Sequence, residues 1–296
     1  MMRKKIRNLF LLFIFLYTPK AFGFSIAVAP YVAVPPFVSS AYGLRLSIFS
    51  GYHENMYGLD LGLIGNITTK THAGTSISTI YNYSREQIVG GLQFAGVTNV
   101  VYKSLHGFGL QLSGANVVLG KGDFIGWQLG FIGNTAHKVN IAGFQLGTLF
   151  NTAKNFWGFQ FGMIGFAKNL GGVQFALVPL TAKTMGGIQI AGLFGYAKDI
   201  RGAQLGLIPY SPDVKGIQFG IFPVAGKFTG IQYGVLSFIG KGGGFQAGLV
   251  NMAGDFGGLQ VGLINFATKL SGIQIGLINI AGNALIPVLP VFNAAL

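Results

Sequence analysis

The chain contains no cysteine. That absence excludes disulfide scaffolds, Cys-ligated zinc or iron–sulfur centres, thiol nucleophiles and a lipidated N-terminal Cys. Charge is scarce as well: 9% of the 296 residues are Asp, Glu, Lys or Arg, and only seven are acidic. Those seven, Glu54, Asp60, Glu86, Asp123, Asp199, Asp213 and Asp255, stand singly beside four equally scattered histidines. Hydrolytic chemistry, which needs neighbouring acids, bases and nucleophiles, has little to be built from. Long apolar runs are also missing. Mean hydropathy is +0.56, yet after residue 24 no window of about 18 residues escapes interruption by Gly, Gln, Asn or Lys, which excludes a multi-span helical protein.

The one uninterrupted apolar run is Leu9 to Tyr17, preceded by Arg3, Lys4, Lys5 and Arg7 and followed by the small residues Ala21 and Gly23. It reads as a secretory signal over residues 1–23, too short for a membrane anchor, and predicts export to the outer membrane or surface of a Gram-negative-type bacterium. The remaining chain carries 15 basic and 7 acidic residues. Its lysines recur about once per repeat, in turns, so they read as solvated turn residues and not as a nucleic-acid patch.

What the chain has is glycine, 48 residues of it, set in a repeat. Gly-Xaa-Gln-Xaa-Gly motifs, the last Gly sometimes Ala or Ser, place glutamines at 93, 111, 128, Gln145, Gln160, Gln174, Gln189, Gln204, Gln218, Gln232, Gln246, Gln260 and Gln274. The spacing settles from 17 or 18 residues to a steady 14. Upstream, Arg45, Asp60 and Ser76 occupy the same slot. Almost the whole mature chain is therefore one array, divided here into irregular repeats or a cap over 24–120, a regular array over 121–283, and a Pro-containing C-terminal cap over 284–296.

Counting from Gln as zero, apolar residues fall at −1, +1, +3, +4, +6 and usually +10, and Asn251, Asn265 and Asn279 stand at +5. Alternation of period two, with frequent Val, Ile and Phe, reads as strand, and Lys168-Asn169 or Gly254-Asp255 reads as a turn. Two all-β architectures fit. In a parallel β-solenoid each unit of about 14 residues is one coil, so like stacks on like and the amides form a ladder. In an antiparallel transmembrane β-barrel of about 16–18 strands each unit is a strand and a hairpin, and odd and even turns differ in length. Equal turns favour the solenoid. The Gln row and the three asparagines are then a structural ladder, and Phe144, Phe159, Phe161, Phe219 and Phe245 read as core.

Gln-Xaa-Gly-Xaa-Xaa-Asn-Xaa-Ala, at 246–253, 260–267 and 274–281, resembles the repeat core of curli amyloid subunits, which implies stacked amide ladders. Gly258-Leu-Gln-Val-Gly-Leu-Ile-Asn and Gly272-Ile-Gln-Ile-Gly-Leu-Ile-Asn, with the terminal Ile286-Pro-Val-Leu-Pro-Val-Phe-Asn, resemble the surface repeat-containing proteins of spirochaetes and other Gram-negative bacteria. That resemblance covers roughly residues 90–293 and implies a surface or outer-membrane location without a known activity.

Other motifs carry less. Gly120-Lys-Gly-Asp and Gly240-Lys-Gly-Gly-Gly lack phosphate-loop spacing and a following helix, and read as turns. His53-Glu54 is the only adjacent base and acid, and His72, His106 and His137 follow without ligand spacing, so neither a metal nor any other cofactor is expected. Trp127 and Trp157 read as packing residues, and Asn66-Ile-Thr and Asn82-Tyr-Ser as chance glycosylation triplets. The expectation is a non-catalytic, structural or adhesive repeat protein. Its partners would be outer-membrane or envelope components or further copies of itself, with no nucleic acid and no small-molecule substrate. A porin-like pore is the alternative that accompanies the barrel.

Overall fold

The computed structural model describes residues 23–29, 32–34 and 40–295. The predicted export signal falls almost wholly outside the described residues, as do Pro30, Pro35 and Pro36; Gly23 already begins the first strand, Gly23–Ala29. No helix occurs among the described residues, and the strands wind into a parallel β-solenoid of about 16 turns.

Each coil lies in register on the next. Gly258 pairs with Gly272, Gln260 with Gln274, and Asn251 with Asn265. The same like-on-like register joins Gln93 to Gln111, Gln111 to Gln128 and Gln145 to Gln160. Because successive coils run parallel and the strand order follows the chain linearly, the antiparallel barrel of 16–18 strands is excluded, and with it the hairpin-built pore. The stack crosses position 120 without a break: the Gln128 amide donates to Gln111 Oε1 at 2.6 Å.

The glycine before each Gln has a steric reason. Gly258 has φ +135, and a Cβ there would lie 2.2 Å from the Gly244 carbonyl oxygen of the preceding coil. At the other end of the motif, a Cβ on Gly248 would meet the Gly234 carbonyl oxygen at 2.2 Å.

The direction of the side chains corrects part of the sequence reading. The Gln slot points inward, so its neighbours at −1 and +1 must point outward, as period two requires. Phe159, Phe161, Phe219 and Phe245 are accordingly exposed and not core, and Trp127 and Trp157 are 60% exposed. The slots +3, +4 and +6 also face outward, for example Leu277, Ile278 and Met252. The interior is thin. Besides the amides it holds a column of small residues, such as Ala225, Ala253, Ala267 and Ala281, and a column of larger ones, including Met185, Phe228, Phe256 and Leu270.

Both ends close differently from the middle. At the N-terminal end, Gly23–Ala29 pairs parallel with Ser40–Ser47 and antiparallel with Val32–Val34. At the C-terminal end, Val288–Ala295 turns back and pairs antiparallel with Ile264–Ala281. Pro290 falls where that register slips, between Val291 and Leu289, a place where a missing N–H leaves no ladder position empty. This strand covers the last edge, which would otherwise invite another chain.

Candidate functional site

Inside the solenoid, the Gln column forms one unbroken chain of amide hydrogen bonds. From Gln111 onward each Nε2 donates to the Oε1 of the preceding coil, at 2.5–3.1 Å, as far as Gln274. Every glutamine of this column from Gln111 on is fully buried. Many of the same Nε2 groups also reach across the interior to a backbone carbonyl of their own coil, such as Thr152 O, Val224 O and Ile280 O. Where both bonds form, one side chain thus ties coil to coil and wall to wall.

Sequence reasoning found only the C-terminal part of a second ladder. Asn251 donates to Asn265 and Asn265 to Asn279, both at 2.8 Å. A matching run, Asn66, Asn82, Asn99, Asn116, Asn134 and Asn151, is linked at 2.7–3.0 Å. Each of these Nδ2 groups also donates to a backbone carbonyl in the next coil, for example Phe94 O and Ile275 O. Between the two runs the slot holds Gly165, Pro179, Gly195, Pro209, Pro223 and Ser237. The two ladders have opposite sense: Gln amides donate toward the N-terminus and Asn amides toward the C-terminus, so their dipoles oppose. Burial also disposes of the glycosylation triplets, since Asn66 and Asn82 are interior rungs, each 2% exposed.

The first rungs are charged. Arg45 and Asp60, both fully buried, form a two-pronged ion pair: Nε donates to Oδ1 at 2.7 Å and Nη2 donates to Oδ2. His72 lies 3.9 Å from Asp60 Oδ2, and its Nδ1 is 2.7 Å from Gln87 Nε2, which donates to it. Burial, reinforced by the Arg45 charge, pushes the His72 imidazole down to about 3, so the ring is neutral. Burial raises the Asp60 carboxyl, against the pull of the Arg45 guanidinium. Nothing in this cluster opens to solvent, so it acts as a structural lock at the start of the stack.

The other candidate chemistry separates. His53 is buried while Glu54 points outward and pairs with Lys70 at 2.7 Å, as adjacent strand residues must. His106 and His137 are exposed on other coils. Among the described residues no three His, Asp or Glu side chains gather as a metal site. Lys121 and Lys241 stand exposed within strands at the coil edge, and no phosphate cradle forms around them.

The outer surface is sharply divided. Apart from Arg45 and Asp60, every charged residue after position 23 lies eight to twelve residues past its ladder rung. These side chains form one edge, where Lys227, Lys241 and Lys269 are exposed and Lys103 pairs with Glu86. Apart from Thr79, His106 and Thr148, the exposed side chains of the remaining exterior are mainly apolar. Stacked rings line it, Phe144 on Phe159 at 5.4 Å and Phe219 on Tyr233 at 5.0 Å, beside Leu249, Leu263 and Leu277, which are 52%, 50% and 67% exposed. Comparison with protein-family models, curated proteins and solved structures finds no match.

Proposed function

We propose that the chain is an exported, non-catalytic structural rod of the bacterial envelope, similar in role to the surface repeat-containing proteins its motifs resemble, and that it binds its envelope partner as a lipid-facing wedge. One observation carries this reading: among the described residues, exposed charge is confined to a single edge of an otherwise mainly apolar exterior. The ridge of +3 and +4 side chains lies about six residues from that edge, nearly half-way around a 14-residue coil. Apolar surface on this scale does not stay solvated. Laid on a bilayer, the ridge enters the acyl layer while the lysines meet anionic headgroups, the arrangement of a monotopic amphipathic element.

Vesicle flotation tests it. The chain should float with phosphatidylglycerol vesicles in preference to phosphatidylcholine vesicles. The triple variant Lys227→Gln, Lys241→Gln, Lys269→Gln should weaken that binding by about 3 kcal/mol, roughly 100-fold at low salt, at about 1 kcal/mol per lysine. A chain that stays in the soluble fraction with every vesicle composition contradicts the proposal.

A further inference from the structure

The charged edge is not uniform along the rod. Between Asp123 and Asp199 the chain holds five lysines and no acid. Four of them, Lys154, Lys168, Lys183 and Lys198, stand on successive coils in one column. The register fixes this: Asn169 donates to Asn155, Leu170 pairs with Met185, and Thr184 pairs with Asp199. At about 4.8 Å per coil the four cover about 14 Å. Lys168, Lys183 and Lys198 are exposed and Lys154 is half-buried. Among the described residues the lysine and arginine ion pairs, Arg45 with Asp60, Lys70 with Glu54 and Lys103 with Glu86, all lie before residue 104. Acids return only at the end of the column, with Asp199 and Asp213, and from there the edge is mixed, Asp213 beside Lys227 and Asp255 beside Lys269.

Beside these lysines the surface carries groups that suit a sugar. Buried Phe156 separates Asn155 from Trp157, so both project outward on one face, about 7 Å apart along the strand. Trp157 is 60% exposed, and its indole lies over the next coil, where a Cβ on Gly171 would meet Cε3 at 2.2 Å. The column continues through Gly186 to the exposed Arg201. Asn155 donates to Asn140 at 2.6 Å and accepts from Asn169 at 2.5 Å, which leaves each of these half-buried amides one N–H and a carbonyl lone pair. We infer that this segment of the edge binds a linear anionic polysaccharide. The indole stacks on a sugar ring, the amides pair with hydroxyls, which donate and accept as a half-used amide requires, and the lysine column with Arg201 meets carboxylates or phosphates along the chain. A single-stranded nucleic acid would ask for a series of aromatic platforms, and this column offers one. Anionic headgroups alone would be met as well by the mixed edge beyond Asp213. The inference goes beyond the lipid-facing reading and needs no bilayer.

The test measures affinity of the full chain, in detergent, for immobilised polygalacturonate, which carries carboxylates, and phosphomannan, which carries phosphates. Wild type should bind at least one of them, less tightly as salt rises. The variant Lys154→Gln, Lys168→Gln, Lys183→Gln, Lys198→Gln should lose at least tenfold, whereas Lys227→Gln, Lys241→Gln, Lys269→Gln should change affinity less than twofold. Gly186→Glu, where a Cβ meets nothing nearer than 3.8 Å, sets an acid among the cations without crowding and should also weaken binding at least tenfold. Trp157→Ala should lose at least fivefold on the glycan and nothing on inorganic polyphosphate, which has no ring to stack. Absence of wild-type binding to both glycans, equal affinity in wild type and the four-lysine variant, or tighter binding of single-stranded DNA than of either glycan overturns the inference. So does a Trp157→Ala variant that binds the glycan as wild type does. Because this binding involves no vesicle, it can fail while flotation succeeds, and flotation can fail while it succeeds.

Discussion

Replacing Gln246 by glutamate tests the buried ladder through its dependence on pH. Gln246 Nε2 donates to Gln232 Oε1 at 3.0 Å, and its Oε1 accepts from Gln260 Nε2 at 2.7 Å. A protonated glutamic acid can reproduce both bonds, its O–H replacing the amide donor. Ionised, it sets an anion against the Gln232 oxygen in a dry interior, so burial raises its folded pKa above the unfolded value of about 4.3. The folded state then binds the extra proton, and the variant loses stability relative to wild type as pH rises from about 4.3 toward its folded pKa. The slope is about 1.4 kcal/mol per pH unit, reaching up to about 3.7 kcal/mol at pH 7. Denaturant unfolding of Gln246→Glu and wild type between pH 4 and 8 measures it. Gln246→Leu orphans the Gln232 oxygen and part of the Gln260 donor at every pH, and should cost a pH-independent amount of about 2–4 kcal/mol. A Gln246→Glu deficit that stays constant across the range would refute a dry, donor-specific rung.

Three further outcomes follow from local geometry. His72 is held neutral down to about pH 3 in the fold but protonates near pH 6.5 when unfolded. Its contribution is therefore complete above about 6.5 and lost as pH falls toward 3, at about 1.4 kcal/mol per unit, and pH-dependent unfolding of His72→Gln should lack that slope. Gly258→Ala, with φ +135 and backbone oxygen 2.2 Å from the new Cβ, should destabilise by about 2 kcal/mol or more. Gly257→Ala, whose nearest neighbour is 3.8 Å away, should be neutral or slightly stabilising in the same melts. Gln274 Oε1 ends its ladder without a donor opposite Asn293, so Asn293→Gln, one methylene longer, should raise the unfolding midpoint by the equivalent of about 1 kcal/mol.

Strand, repeat and stacking were legible because a 14-residue period carries its own register: once Gln260 and Gln274 share a slot, stacking them is the simplest use of two amides. The outward orientation of Phe219 and Leu277 was also implicit, since an inward Gln forces its neighbours out, but hydrophobicity alone points the other way. The N-terminal Asn run was hidden by a shifted offset, Asn134 standing six residues past Gln128 where Asn265 stands five past Gln260. Arg45 and Asp60 were recognisable as slot-mates, and opposite charges in adjacent rungs announce their pairing. His72 gave no such signal, because its place beside Asp60 depends on a register slip between His53 and Asn55 that no motif marks.

The parallel stack itself is most directly measured by distances between spin labels, and the cysteine-free chain allows labels to be placed at will. Asn155, Lys227 and Lys269 occupy the same slot on coils five and three steps apart. At about 4.8 Å per coil, labelled cysteines replacing Asn155 and Lys227 should lie about 24 Å apart, and those replacing Asn155 and Lys269 about 38 Å. Label distances that grow in proportion to the number of intervening coils agree with a straight parallel stack. Distances that alternate between short and long as the number of units increases would contradict it.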